Sequence, residues 1–215
     1  MSIAAPDKSY TAQHAITTIA ELDRLYGEAN DRSLLKEIDH ISDHYRAYIE
    51  AAPFVVVATA GPEGLDCSPR GDPGQVVHVV DPKTLVLPDR RGNNRIDALR
   101  NLVRDPRVSL LFLIPGIDVT MRVNGRAIIS SDPDLLSRHM MQGKRPQTAI
   151  VVTVERVYFQ CPKALVRSKL WSEVARVDAS RLPTTGEMLE ALSSGTFDGV
   201  TYDASYAEHM AKTIY

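Results

Sequence analysis

Cysteine is scarce in this chain: Cys67 and Cys161 are the only two in 215 residues. They lie far apart and outside any CxxC spacing, so neither a disulfide framework nor a zinc site is indicated. The six histidines show no metal-ligand spacing either. His40 and His44 fall one helical turn apart, but with no third ligand nearby, and the expected metal content is none. Charge of one sign is also lacking. With 25 Lys and Arg against 27 Asp and Glu, the net charge of −2 offers no reason to bind nucleic acid or an anionic membrane. Long apolar runs are missing as well: FVVVA and LLFLI are far too short to cross a bilayer, and no amino-terminal stretch has signal-peptide character. The expectation is a cytoplasmic protein without nucleic-acid or membrane partners. No repeat, low-complexity tract or nucleophile–base constellation is found.

What is present is an ordinary apolar fraction of 44%, enough for one domain with a full core. Met1 to Gln13 has no periodicity and is expected to lie frayed on the surface. Ile19, Leu22 and Leu25 recur at helical spacing up to Gly27, a natural stop. The apolar stripe from Leu34 through Ile38, Ile41, Tyr45 and Ile49 predicts one longer helix beginning after Asp31 or Ser33. FVVVATA then reads as a buried strand, with Leu65 to Ser68 returning antiparallel and Arg70-Gly71-Asp72-Pro73-Gly74 as a loop. VVHVV and TLVL, joined at Asp81-Pro82-Lys83, predict a β-meander. A helix over Arg95 to Arg104 follows, with Asn93 or Asn94 as its cap. Strands are expected over Val108 to Ile114, Val119 to Ser130 with a bulge at Gly125, and Thr148 to Gln160. A helix opened by Asp132-Pro133 and reaching about Met141 sits between the last two. Two weaker helical patterns close the chain. Six or seven strands with helices inserted singly, and no βαβ alternation, argue for an antiparallel barrel decorated by helices.

Polar residues gather at strand ends: Ser68 and Arg70 at one, and Asp89, Arg90, Arg91, Asn93, Asn94 and Arg95 at another. Arginines beside the start of a helix would stabilise an anion. The alternative is a solvated loop in which these arginines pair with Asp89 and Asp97, and in which Arg70 pairs with Asp66 or Asp72.

The order FVVVATAGPEGLDCSPRGDPG, TLVLPDRRGNNRIDALRNLVRDPRVSLLFLIPG, TMRVNGRA and ALVRSKLW resembles the FMN-binding split-barrel proteins related to pyridoxamine 5′-phosphate oxidase. The likeness runs roughly from Leu34 to Trp171. It implies a mainly β, α+β fold: an antiparallel split β-barrel of six to seven strands with peripheral helices. Residues 1–50 would form a helical segment packed on the barrel, 51–171 the FMN-binding barrel and 172–215 a helical tail, all in one domain. The resemblance further implies a homodimer with FMN held non-covalently at the subunit interface. Ser68, Pro69 and Arg70 would reach the ribityl-phosphate, and Pro88, Asp89 and Arg90 the ring and ribityl chain. Arg91, Asn93 and Asn94 would close on the phosphate, Arg122 would reach across the interface, and Lys163, Arg167 and Trp171 would lie near the isoalloxazine. No Arg-x-His type signature follows Trp171, so the expected activity is that of an FMN-dependent oxidoreductase other than pyridoxamine phosphate oxidase, acting with a small-molecule substrate or electron donor. The alternatives are a flavin or haem binding or sensing protein without turnover, with His78 or His139 as the axial haem ligand, and a regulatory protein whose barrel has lost the cofactor.

Overall fold

Apolar runs of β-branched residues become seven strands. The computed structural model describes residues 14–215, and the expectation for Met1 to Gln13 lies outside them. The strands are β1 (Phe54–Gly61), β2 (Gly64–Gly71), β3 (His78–Asp81), β4 (Thr84–Asp89), β5 (Arg107–Ile114), β6 (Ile117–Ser130) and β7 (Thr148–Gln160). All pair antiparallel in one sheet of order β2-β1-β5-β6-β7-β4-β3. This is the α+β, split-barrel architecture with peripheral helices; the sheet does not close, and β2 and β3 are its edges. β3 and β4 form a hairpin at the edge opposite β2 in strand order, so the connection after β2 joins the two edges of the open sheet.

The chain divides into two units between Lys36 and Glu37. In the first, helix α1 (Ile19–Tyr26) carries a capping box: Thr18 accepts from the Glu21 amide while Glu21 accepts from Thr18, and Gly27 ends the helix at φ +66°. A short α2 (Asp31–Leu35) follows, capped by Asn30. Neither helix has a buried residue.

The second unit holds the sheet. The single long helix expected from residue 34 onward is interrupted: α2 stops at Leu35, and α3 (Asp43–Glu50) starts afresh on Ser42. Between them Ile38 exchanges main-chain hydrogen bonds with Val157 of β7, so its apolar side chain is placed by a strand edge rather than by a helical face. The remaining helices are α4 (Asp97–Arg104), α5 (Pro133–Ser137), α6 (Lys163–Ser168), α7 (Thr185–Leu192) and α8 (Gly199–Thr213). Helix α5 is shorter than the expected run to Met141. Among the described residues no helix is long and apolar enough to cross a membrane.

The core lies on one face of the sheet. Val55 and Val57 of β1, Leu110 and Phe112 of β5, Met121 and Val123 of β6, and Ile150 and Val152 of β7 are essentially inaccessible. Each fully buried aliphatic side chain of this kind is worth about 1.5–3 kcal/mol. Helix α4 covers one end through Ala98, Leu99 and Leu102. Its buried Asn101 donates to Thr59 Oγ1 at 3.2 Å, a polar contact that fixes the helix against β1. The register between β6 and β7 shifts at Asn124 and Gly125, where Glu155 of β7 is left unpaired, so the bulge expected at Gly125 of β6 lies instead on the strand opposite it. A Cβ at Gly125 would stand 2.1 Å from the Thr153 carbonyl oxygen, so only glycine permits that approach.

Candidate functional site

Period-two alternation puts Asp66, Ser68 and Arg70 of β2 on one face. Their direct partners on β1 are Thr59, Val57 and Val55, whose side chains are buried, so the three polar residues line the inner rim of the open edge. Ser68 Oγ donates to Asp66 Oδ2 at 2.6 Å. The strand runs on through Arg70 and Gly71, where a loop was expected. Arg70 reaches across to the last residue of β4, with Nη2 3.7 Å from Asp89 Oδ1. Burial pushes the Asp89 carboxyl up, and Arg70 only partly offsets this.

Two residues beyond Arg70 the polarity reverses. Asp72, whose side chain is 2% exposed, accepts from Arg90 Nε at 2.7 Å, and Arg90 Nη1 donates to the His139 carbonyl at 2.6 Å. Since β2 and β4 are not neighbours in the sheet, the Arg70–Asp89 and Asp72–Arg90 pairs bridge its open side, with opposite sign order. Neither Asp66 nor Asp72 is the partner of Arg70.

After Arg90 the backbone is strained. Asn94 has φ +61° and Ile96 φ +49°; asparagine tolerates this region, whereas a β-branched residue is an outlier there, at about 1–3 kcal/mol. Helix α4 begins two residues later than expected, with Ile96 at the cap position and no capping side chain. Asn93 instead accepts from the Arg95 amide at 3.1 Å. The first-turn amides of α4 therefore lack a side-chain acceptor from the cap. Arg95 pairs with Asp97, while Arg91 is exposed and makes no hydrogen bond or ion pair among the described residues. A cleft of about 500 Å³ runs past Asp66, Arg95, Asp97 and Arg100. A small recess of about 30 Å³ is lined by Arg90, Arg91, Lys144, Arg145 and Tyr215 among others.

The other expected residues stand outside this set of contacts. Pro69 is exposed, paired with Val56, and Pro88 is buried opposite Ala149. Arg122 donates to the Tyr158 hydroxyl at 3.1 Å, with its guanidinium carbon 5.6 Å from that ring's centre. Lys163 and Arg167 are exposed on α6. Trp171 Nε1 donates to the Ile117 carbonyl at 3.0 Å, which ties the segment after α6 to the start of β6. Lys144 and Arg145 were not singled out in the sequence, and Asp72 was named there only as a possible partner of Arg70. Lys144 and Arg145 follow a turn with positive φ at Gln142 and Gly143, and only the fold brings them beside Arg91.

The donor set suits a phosphate monoester, which carries about −1.5 to −2 charges at neutral pH. Arg70 and Arg91 supply charged donors, Ser68 a hydroxyl, and the open amides at the α4 start add N–H groups. Among the described residues no group of three or more His, Cys, Asp or Glu is arranged to hold a metal ion.

An open antiparallel split barrel with an anion-suited rim defines the class. The family described as pyridoxamine 5′-phosphate oxidase matches residues 41–161, more than half of the chain, and the chain belongs to that family. No curated protein matches. Among solved structures, HupZ of Group A Streptococcus is 18% identical, with a TM-score of 0.45 over 55% of this chain and 93% of the other. General stress protein 26 of Bacillus anthracis is 14% identical, with a TM-score of 0.42 over 53% and 88%. The FAD binding protein of Mycobacterium smegmatis is 11% identical, with a TM-score of 0.41 over 57% and 97%.

Proposed function

We propose that the protein is an FMN-binding flavoprotein, a homodimer that works as an oxidoreductase on a small molecule other than pyridoxamine phosphate. The observation that carries this reading is the uncapped start of α4, reached through a strained turn that follows the unpaired Arg91, in a cleft that Asp66 of the β2 rim also lines. In a family whose fold often holds flavin, a phosphate-suited rim next to a cleft of about 500 Å³ is what a flavin mononucleotide needs. Bound FMN would supply hydride or electron transfer. This chain's residues would hold it: Arg91, Asn93, Asn94 and the α4 amides at the phosphate, Ser68 and Arg70 along the ribityl chain. Pro88 and Asp89 would face the ring side, where burial pushes the Asp89 carboxyl up and Arg70 partly offsets it. Arg90 would act by holding the rim closed. Arg122, Lys163, Arg167 and Trp171 would meet the cofactor bound by a partner subunit.

The test is the visible spectrum of the purified protein, release of its chromophore, and titration of the stripped protein with FMN. Paired flavin bands and released FMN support the reading; a colourless protein that takes up no added FMN overturns it. A second check is Arg122→Ala followed by sedimentation, which should weaken the dimer or its flavin content. A flavin-replete, stable dimer would remove Arg122 from the interface.

A further inference from the structure

His78, at the start of β3, and His139, just after α5, come from distant parts of the chain. Their rings nonetheless stack, with centroids 4.3 Å apart and planes inclined at 41°. The junction they form is also where Arg90 is held, between the His139 carbonyl and the buried Asp72. Among the described residues His139 Nδ1 is buried there without a partner, and the Asp72 carboxylate is shared between Arg90 and the Tyr215 phenol. The charges facing the pair come from every side. His78 is approached by Arg90 after β4, Asp72 after β2 and Glu50 of α3, while His139 faces His78, Arg90 and its neighbour Arg138. The Tyr215 phenol faces Asp72 and Arg90 from the end of α8.

The charge count decides the behaviour. With both imidazoles neutral, one guanidinium balances one carboxylate and the junction carries no net charge from that pair. One proton leaves it positive by one. A second would set two imidazolium rings 4.3 Å apart beside a guanidinium, an arrangement that low dielectric makes costly. A protonated imidazole also donates at both nitrogens, so it competes with Arg90 for the one buried carboxylate. Burial is the main force holding both histidines below their usual pKa. For His78, Arg90 adds to it; for His139, His78 and then Arg90 do so.

We propose that the close-packed His78–His139 pair is an acid-operated latch, in which protonation displaces Arg90 from Asp72 and from the His139 carbonyl and so breaks one of the two ion pairs that join the end of β2 to the end of β4. The latch is built from the chain itself and does not depend on the cofactor. As pH falls below that of an ordinary histidine, the unfolded chain takes up protons before the folded one, so the closed form loses stability from there down to the folded pKa values.

The experiment follows three resonances of the intact protein by NMR from pH 7.5 to 5: the two imidazoles and the Arg90 Nε–H. A latch requires the two histidines to titrate as a coupled pair, each ring sensing the other's step and the first step lying below the usual histidine range, and the Arg90 Nε–H to exchange at least about tenfold faster in that first step, beyond the solvent's own pH effect. In H78Q/H139Q the Arg90 signal should then stay protected across that range. Independent titration of the two rings near the ordinary value, or an Arg90 signal unmoved through their titration, overturns the latch. Should the double variant fail to fold, H139Q alone decides: His78 should titrate singly and nearer the usual value, and an unchanged His78 titration also overturns it.

Discussion

Arg90 and Asp72 stand on opposite sides of the open edge of the sheet and meet at 2.7 Å, nearly out of reach of water. The pair therefore has a structural task at the split, whatever is bound beside it. Removing one partner of a buried ion pair strands the other, at about 3–5 kcal/mol. Asp72→Ala is expected to lower unfolding stability by about that amount in urea denaturation. A change under about 1 kcal/mol would show that water reaches the junction.

Arg91 separates binding from folding. It has no partner among the described residues, so Arg91→Ala should leave unfolding stability within about 0.5 kcal/mol. If it holds phosphate, the FMN dissociation constant should rise about tenfold to a hundredfold, the equivalent of about 1.5–3 kcal/mol. Isothermal titration of the stripped protein with FMN reads this directly, and unchanged affinity removes Arg91 from the site.

Asp89 provides a pH-dependent prediction. Burial raises its pKa in the folded state, with Arg70 as a partial offset. A carboxyl raised on folding binds its proton more tightly in the native chain, so its contribution is favourable at low pH and lost as pH rises through the folded pKa. Asp89→Asn should therefore match or exceed the wild type in stability at pH 7, with the difference shrinking toward pH 4. A variant clearly weaker at pH 7 would mean that the Arg70 contact outweighs desolvation.

Gly125 lies where β6 slips register against β7, and its Cα faces the Thr153 carbonyl. An alanine methyl there meets backbone that cannot rotate away. Gly125→Ala should cost about 1–3 kcal/mol or more by overpacking. Thermal unfolding compared with Gly143→Ala separates this clash from loss of positive φ, because Gly143 has φ +75° and open space around it.

The strands were legible in the sequence because their signal is local. FVVVATA, TMRVNGRA and TAIVVTVERVYFQ carry their own period, and the glycine inside the alternating β6 run stands at the register shift although the extra residue belongs to β7. Inside the helix expected across residues 34–49 the one local mark of a restart is Ser42, which caps α3. The interruption comes from Val157, more than a hundred residues away, whose main chain claims Ile38. The α4 cap was misplaced for a related reason: Asn93 can bond an amide in either of two ways, and here it closes on Arg95. In the site, the arginine cluster was visible, but partner choice was not. Asp72 lies eighteen positions from Arg90, and only the curl of the sheet, which brings the end of β2 near the end of β4, puts them together.

Trp171 is the only tryptophan of the chain, and its indole N–H is bonded to the Ile117 carbonyl at the head of β6 rather than buried among the core side chains. Intrinsic fluorescence thus watches one tether. An emission shift on heating or in denaturant records release of the segment after α6 from the β6 entrance, while the circular dichroism of the sheet records the barrel itself. Where the two curves separate, the tether lets go before the barrel does, and a midpoint taken from fluorescence alone belongs to the tether.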